Sequence, residues 1–229
     1  MKKHSLLVVT TLVAWSSLQL QAGPKEDVSA AAKKLSESGG YSWTSTREGG
    51  FGGGTTKGKI SADGTTVIEA PGRDGTFLIV RQGEKVVAET QDGWQSASEL
   101  ENAEGFGRFL GRMMRNLRLP AAEAEQLALG AESLAESDGA ITGKLKQETV
   151  KEMLSFRGRG GDGPEVSDAS GSVKLWIKDG QLVKYEYKLK GVMTFGGQDR
   201  DIDRTTTVEV KEVGSAKVEI PEGAKAKLK

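Results

Sequence analysis

The sequence predicts an α+β protein, an antiparallel sheet with helices laid along one side, and three observations carry that expectation. Apolar residues alternate with period two from residue 41 to residue 90. A helical middle follows over residues 97–129, and long strands return after residue 170 and end in a hairpin.

Taken in order, residues 1–22 have a basic start (Lys2, Lys3), an apolar run from Leu6 to Trp15, a polar stretch and a small residue, Ala22. That is the layout of a secretory signal peptide cleaved near Ala22, although Leu20 at the minus-three position is larger than ideal. The apolar run is short for a membrane span, which needs about 20 residues. Residues 23–229 are then read as a single domain in a periplasmic or secreted compartment.

Residues 26–38 predict an amphipathic helix with Val28, Ala31, Ala32 and Leu35 on one face, closed by Gly39-Gly40. Asp-Gly pairs at 63–64, 74–75 and 92–93 punctuate the strands of residues 41–90, which read as a meander. Helical spacing runs from about Ala97 to Leu119, and Pro120 opens a second helix that Gly130 stops. GAITGKLK at 139–146 reads as a strand, QETVKEMLSF at 147–156 as a short helix, and RGRGGDGPEVSDAS as a loop. Three strands complete the chain: GSVKLWIK, QLVKYEYKLKGVMTF and QDRDIDRTTTVEVKEV.

The last two strands fix their own register. A two-residue turn at Gly196-Gly197 sets Phe195 against Gln198, which places Lys190 opposite Asp203 and Lys184 opposite Glu209 on one face. The other face then carries Val183, Tyr185, Tyr187 and Leu189 against Val210, Val208, Thr206 and Arg204.

Composition excludes several chemistries. The chain has no cysteine, and its one histidine, His4, lies inside the signal segment. The mature protein therefore has no Ser-His-Asp or Cys-His nucleophile, no ordinary zinc or copper site, and no disulfide. With 32 basic and 32 acidic residues, the charge gives no general argument for nucleic acid.

Three motifs imitate ligand sites. Gly53 to Lys59 in GGGTTKGKI approaches a P-loop, but Ile60 replaces the magnesium-binding Ser or Thr, and strand and turn follow where a helix is needed. GRGGDG at 158–163 fits G-x-G-x-x-G but follows a helix and runs into Pro164. In DRDIDR, Asp199, Asp201 and Asp203 mimic a calcium loop, yet Arg204 and Val210 stand where glycine and glutamate are required, so these aspartates belong to the polar face of a strand. No metal or cofactor is expected.

The segment 105–119 is more informative. Phe106, Phe109, Leu110, Met113, Met114 and Leu117 fall on one helical face, and Arg108, Arg112 and Arg115 on another. Phe and Met offer an adaptable apolar surface, so this helix is read either as packed on the sheet or as a lid over an apolar groove. Its arginines would then face an acidic head group or an anionic membrane.

The order of elements, with GSVKLWIKDGQLVKYEY, the long hairpin and a terminal VEIPEGAK, resembles the LolA-like and LppX-like periplasmic lipoprotein-carrier superfamily. The resemblance implies a curved antiparallel sheet, an incomplete barrel, whose concave apolar side is partly covered by helices and holds acyl chains without catalysis. The chain departs from LppX-like lipoproteins in lacking an acylation cysteine. The expected contacts are Phe106, Phe109, Leu110, Met113 and Met114 with Trp43, Trp176, Tyr185 and Tyr187. The expected partner is a lipid or lipoprotein acyl chain in the cell envelope. The alternative is an envelope protein-interaction module without a small ligand, and a glycosidase working by two facing carboxylates finds no such pair.

Overall fold

The computed structural model describes residues 23–50, 53–72, 75–155 and 164–229. The predicted signal segment 1–22 and the motif at 158–163 lie outside them. Eleven antiparallel strands form one sheet: β1 (Gly40–Gly49), β2 (Gly54–Ser61), β3 (Thr66–Pro71), β4 (Thr76–Gln82), β5 (Lys85–Thr90), β6 (Gly93–Ser96), β7 (Ala131–Ser137), β8 (Ala140–Leu145), β9 (Glu165–Lys178), β10 (Gln181–Phe195) and β11 (Gln198–Lys211). Six helices accompany it: α1 (Pro24–Ser36), α2 (Ala97–Glu101), α3 (Phe106–Arg115), α4 (Pro120–Leu129), α5 (Gln147–Ser155) and α6 (Glu222–Leu228).

The strand order, β6-β5-β4-β3-β2-β1-β11-β10-β9-β8-β7, gives the topology its meaning. The first six strands step outward from the centre, and the last five step inward from the far edge until β11 pairs with β1. The sheet is left open between β6 and β7, and the chain that links those two edges is the helical middle, α2 to α4. Helices thus occupy the connection that closure of a barrel would have replaced with hydrogen bonds.

The predicted hairpin register holds throughout β10 and β11: Phe195 pairs with Gln198, Lys190 with Asp203 and Lys184 with Glu209. Gly196 and Gly197 both take left-handed φ, 55° and 79°, as the tight turn requires. Asp203 accepts ion pairs from Lys188 and Lys190 at 3.0 Å each, so the aspartates of DRDIDR do lie on a polar strand face.

The principal core lies between one face of the sheet and helices α1, α4 and α5. Val28, Ala31 and Leu35 of α1, Ala124 and Leu127 of α4, and Val150 and Leu154 of α5 are buried with Val173, Leu175, Leu182, Tyr185 and Leu189 of the sheet. Leu100, Leu110 and Met114 from α2 and α3 join the same cluster with Ile68, Ile79 and Ala88. Each of these larger aliphatic groups contributes about 1.5–3 kcal/mol through burial.

Three details differ from the sequence expectation. Strand β7 was not anticipated, because AESLAES is built from helix formers and this edge strand exposes most of its residues. It exists because Asp138 (φ 53°) and Gly139 (φ 74°) turn the chain back into β8. The first half of β9 occupies residues expected to be loop, with a bulge beside Asp168 opposite Gly191. Helix α6 lies on the opposite, convex face, where Ala224 and Leu228 bury against Val80 and Val87 beside Trp94. The expectation that helices pack on the concave side therefore holds for the others and not for α6.

The P-loop imitation resolves into packing. Gly58 sits in strand β2 directly beside Trp43 in β1, and a Cβ there would come within 2.1 Å of the indole ring. Glycine is needed to admit an aromatic side chain.

Candidate functional site

Across the concave face, Tyr187 of β10 pairs with Thr206 of β11, which pairs with Arg47 of β1. The next row joins Leu189, Arg204 and Gly49, and the preceding one Tyr185, Val208 and Ser45. Two arginines on adjacent strands therefore share a face otherwise made of aliphatic and aromatic groups. Arg204 is 7% exposed and Arg47 is half-buried.

Glu123 of α4 reaches down onto this face. Its carboxylate accepts a 2.6 Å hydrogen bond from the Tyr185 hydroxyl and a 3.0 Å bond from that of Tyr187. The two rings are stacked with centroids 6.5 Å apart. Burial, reinforced by the Glu123 charge, raises both phenols well above their ordinary range. Tyr41 on β1 is also pushed up to about 12, by burial against an opposing hydrogen bond with the Ala121 backbone. Arg204 is lowered, first by burial and then by the charge of Arg47, while Tyr187 and Glu123 oppose the shift.

The second component is α3. Its N-terminus follows Gly105, whose φ of 59° and ψ of −126° few other residues could adopt. Gly107 and Gly111 form the face that meets α2: a Cβ on Gly111 would lie 2.7 Å from the Glu101 nitrogen, and one on Gly107 would lie 2.9 Å from Ala103 Cβ. The helix is further tied to α2 by a bidentate ion pair from Arg115 to Glu101. Ser96 and Glu99 form a reciprocal capping box at the start of α2, and Lys227 of α6 bonds the same Glu99 at 2.8 Å.

Seating the glycine face on α2 rotates the predicted apolar face. Leu110 and Met114 point into the core and Met113 lies at its margin, but Phe106 is 66% exposed and Phe109 49% exposed, with ring centroids 6.1 Å apart. Arg108 and Arg112 are exposed beside them, and Arg108 Nε donates to the Ala103 carbonyl.

Of the residues singled out from the sequence, Leu110, Met113, Met114, Trp43, Tyr185 and Tyr187 belong to one cluster. Phe106 and Phe109 lie on the outer side of α3. Trp176 is separated from them all, on the convex face, with the Lys184 ammonium 4.9 Å above its ring. Arg47, Arg204 and Glu123 were not singled out. The available signal was Arg204 itself, a charge at a position that the hairpin register assigns to the apolar face.

Two open clefts flank α1. The larger, of about 700 Å³, lies between α1 and the β7–β8 hairpin and is lined by Asp27, Lys34, Glu136, Asp138, Ile141 and Ile177 among others. Its rim is charged, unlike the concave core. Among the described residues, no helix is long and apolar enough to cross a membrane, and no group of three or more His, Cys, Asp or Glu is placed to hold a metal ion.

No protein-family model matches the chain, and no curated protein sequence matches it. Among solved structures it is similar to the lipoprotein LppX of Mycobacterium tuberculosis, with 14% identity and a TM-score of 0.49 over 86% of this chain and 98% of that one. It is also similar to LprF of Mycobacterium bovis, with 13% identity and a TM-score of 0.46 over 87% and 96%. A DUF1329 family protein of Desulfovibrio piger matches with 9% identity and a TM-score of 0.34 over 86% and 94%.

Proposed function

We propose that the protein binds an apolar or amphipathic ligand, such as a lipid or an acyl chain, between the concave face of its sheet and the helices that cover it. It does so without catalysis, in the cell envelope after export, with residues 1–22 as its signal peptide. The observation that carries this reading is the two-sided helix α3. It offers Leu110 and Met114 to the core and the Phe106–Phe109 pair to solvent, and its firm attachments are to α2. A large aromatic pair facing water marks a surface that meets something apolar. A short helix joined to its neighbour through Gly105 is suited to swing outward and admit a chain beneath it.

In this role α3 is a lid over a groove lined by Leu110, Met113, Met114, Trp43, Tyr185 and Tyr187. Phe106 and Phe109 touch the ligand during entry, or the bilayer that supplies it. Arg108 and Arg112 favour an anionic surface, whereas Arg115 is engaged with Glu101. An envelope protein partner would dock on the same patch.

Met113 at the lid margin gives the test. Met113→Asp is expected to abolish uptake of a fluorescent fatty acid while circular dichroism and the urea midpoint remain near wild type. Undiminished uptake by the folded variant would contradict the lid, and collapse of the fold would assign Met113 to the core alone.

A further inference from the structure

We propose that the outer edge of β7, with the cleft beside it, is a docking site for an extended basic segment of another protein, which adds to the sheet as a further strand. The site is separate from the concave groove and does not depend on the lipid reading.

The first observation is the edge itself. Strand β7 is terminal in the sheet and pairs with β8 alone, so one side of its backbone has no strand partner among the described residues. From Glu132 to Ser137 every side chain is exposed except the half-buried Leu134, which leaves both faces of the strand open to solvent. The strand also carries no proline or lysine, two residues that commonly block such edges. A row of unpaired N–H and C=O groups is a template for another strand.

The second is what lies beside the edge. The cleft of about 700 Å³ between α1 and the β7–β8 hairpin includes Glu136 and Ser137 of β7 in its wall. Two concave rows of the sheet end there: Tyr185, Leu175 and Ile141 lead to Glu136, and Tyr187, Val173 and Gly143 lead to Leu134. An added strand would continue both rows and set alternate side chains beside the cleft. Strand addition takes its affinity from main-chain hydrogen bonds and its specificity from pockets for alternate side chains.

The third is charge. Asp27, Glu136 and Asp138 stand on the cleft rim against Lys34, whose ammonium donates to the Asp179 carbonyl at 3.1 Å. None of these three carboxylates is in an ion pair among the described residues. Their complement is a lysine or arginine opposite Glu136, with an aliphatic residue opposite Leu134. A second copy of this chain does not supply it, because antiparallel pairing centred on Leu134 would set Glu132 of one copy against Glu136 of the other.

The test uses the exported protein and three fluorescein-labelled peptides: TKTVTKT, its acidic counterpart TETVTET, and TKTVTKT methylated on every backbone nitrogen. Anisotropy is expected to show TKTVTKT bound at least tenfold more tightly than TETVTET, with no binding of the methylated peptide. Glu136→Lys, at an exposed position, should abolish that preference, and bound TKTVTKT should slow amide exchange over residues 132–137. Equal affinity for the acidic or the methylated peptide, or a preference untouched by Glu136→Lys, would overturn the site. Protection that falls on residues 106–112 in place of 132–137 would do the same, and so would the absence of binding at millimolar TKTVTKT. Dodecanoate uptake measured alongside reports on the groove separately: its absence with peptide binding intact removes the lipid reading and leaves the docking site standing.

Discussion

Helices α3 and α4 are consecutive in the chain and ten residues long, yet the fold treats them in opposite ways. Helix α4 buries Pro120, Ala121, Ala124, Leu127 and Ala128, and through Glu123 it is hydrogen-bonded to two tyrosines of strand β10. Helix α3 buries Leu110, Gly111 and Met114, leaves two phenylalanines to solvent, and directs its ion pair and its glycine face to α2. One helix is a fixture of the sheet and the other is fastened to a neighbouring helix. In the proposed lid role, a groove opens at α3 without disturbing the polar network beneath α4.

The largest test of this contrast acts through the network under α4. All three tyrosines of the chain, Tyr41, Tyr185 and Tyr187, are raised in the fold, and Tyr41 reaches about 12. The unfolded chain releases phenolic protons near pH 10, so the folded state holds more protons above that point. Stability is therefore full below about pH 10 and falls as pH climbs toward 12 and beyond. Absorbance at 295 nm should show almost no tyrosinate until the protein unfolds, when all three phenols ionise together. A separate titration near pH 10 in folded protein would contradict the buried network.

Next in size is a pair of truncations. Leu127→Ala in α4, at a fully buried position, should lower stability by about 2–5 kcal/mol in urea unfolding. Phe106→Ser in α3, at a position 66% exposed, should change it by no more than about 0.5 kcal/mol. The order should reverse in fatty-acid uptake per folded molecule, with Phe106→Ser the weaker binder. Equal stability losses would mean that α3 is as firmly built in as α4.

Much of this architecture could be read from residues alone. The Gly196-Gly197 turn and the charges at 184, 190, 203 and 209 set the central register, because one face had to pair opposite charges while the other stayed apolar. Helix α1 and the bounds of α4 followed from spacing and from Pro120 and Gly130. What escaped depended on contacts distant in sequence. β7 is a strand through its pairing with β8, against its own propensity, and α6 is held by Val80 and Val87 on the convex face. The rotation of α3 was hidden because the hydrophobic pattern favours its Phe-Met face, whereas close approach to α2 admits only Gly107 and Gly111. Arg47 and Arg204 become neighbours only once β1 is known to pair with β11, residues more than a hundred positions apart.

The measurement that bears most directly on the central claim is native mass spectrometry of the protein exported to a bacterial periplasm, followed by solvent extraction and lipid analysis. A reproducible added mass that extracts as an acyl lipid is the predicted result. A clean apo mass, with no uptake of added fatty acid or phospholipid, would contradict the account and leave the exposed Phe106–Phe109 surface to a protein partner.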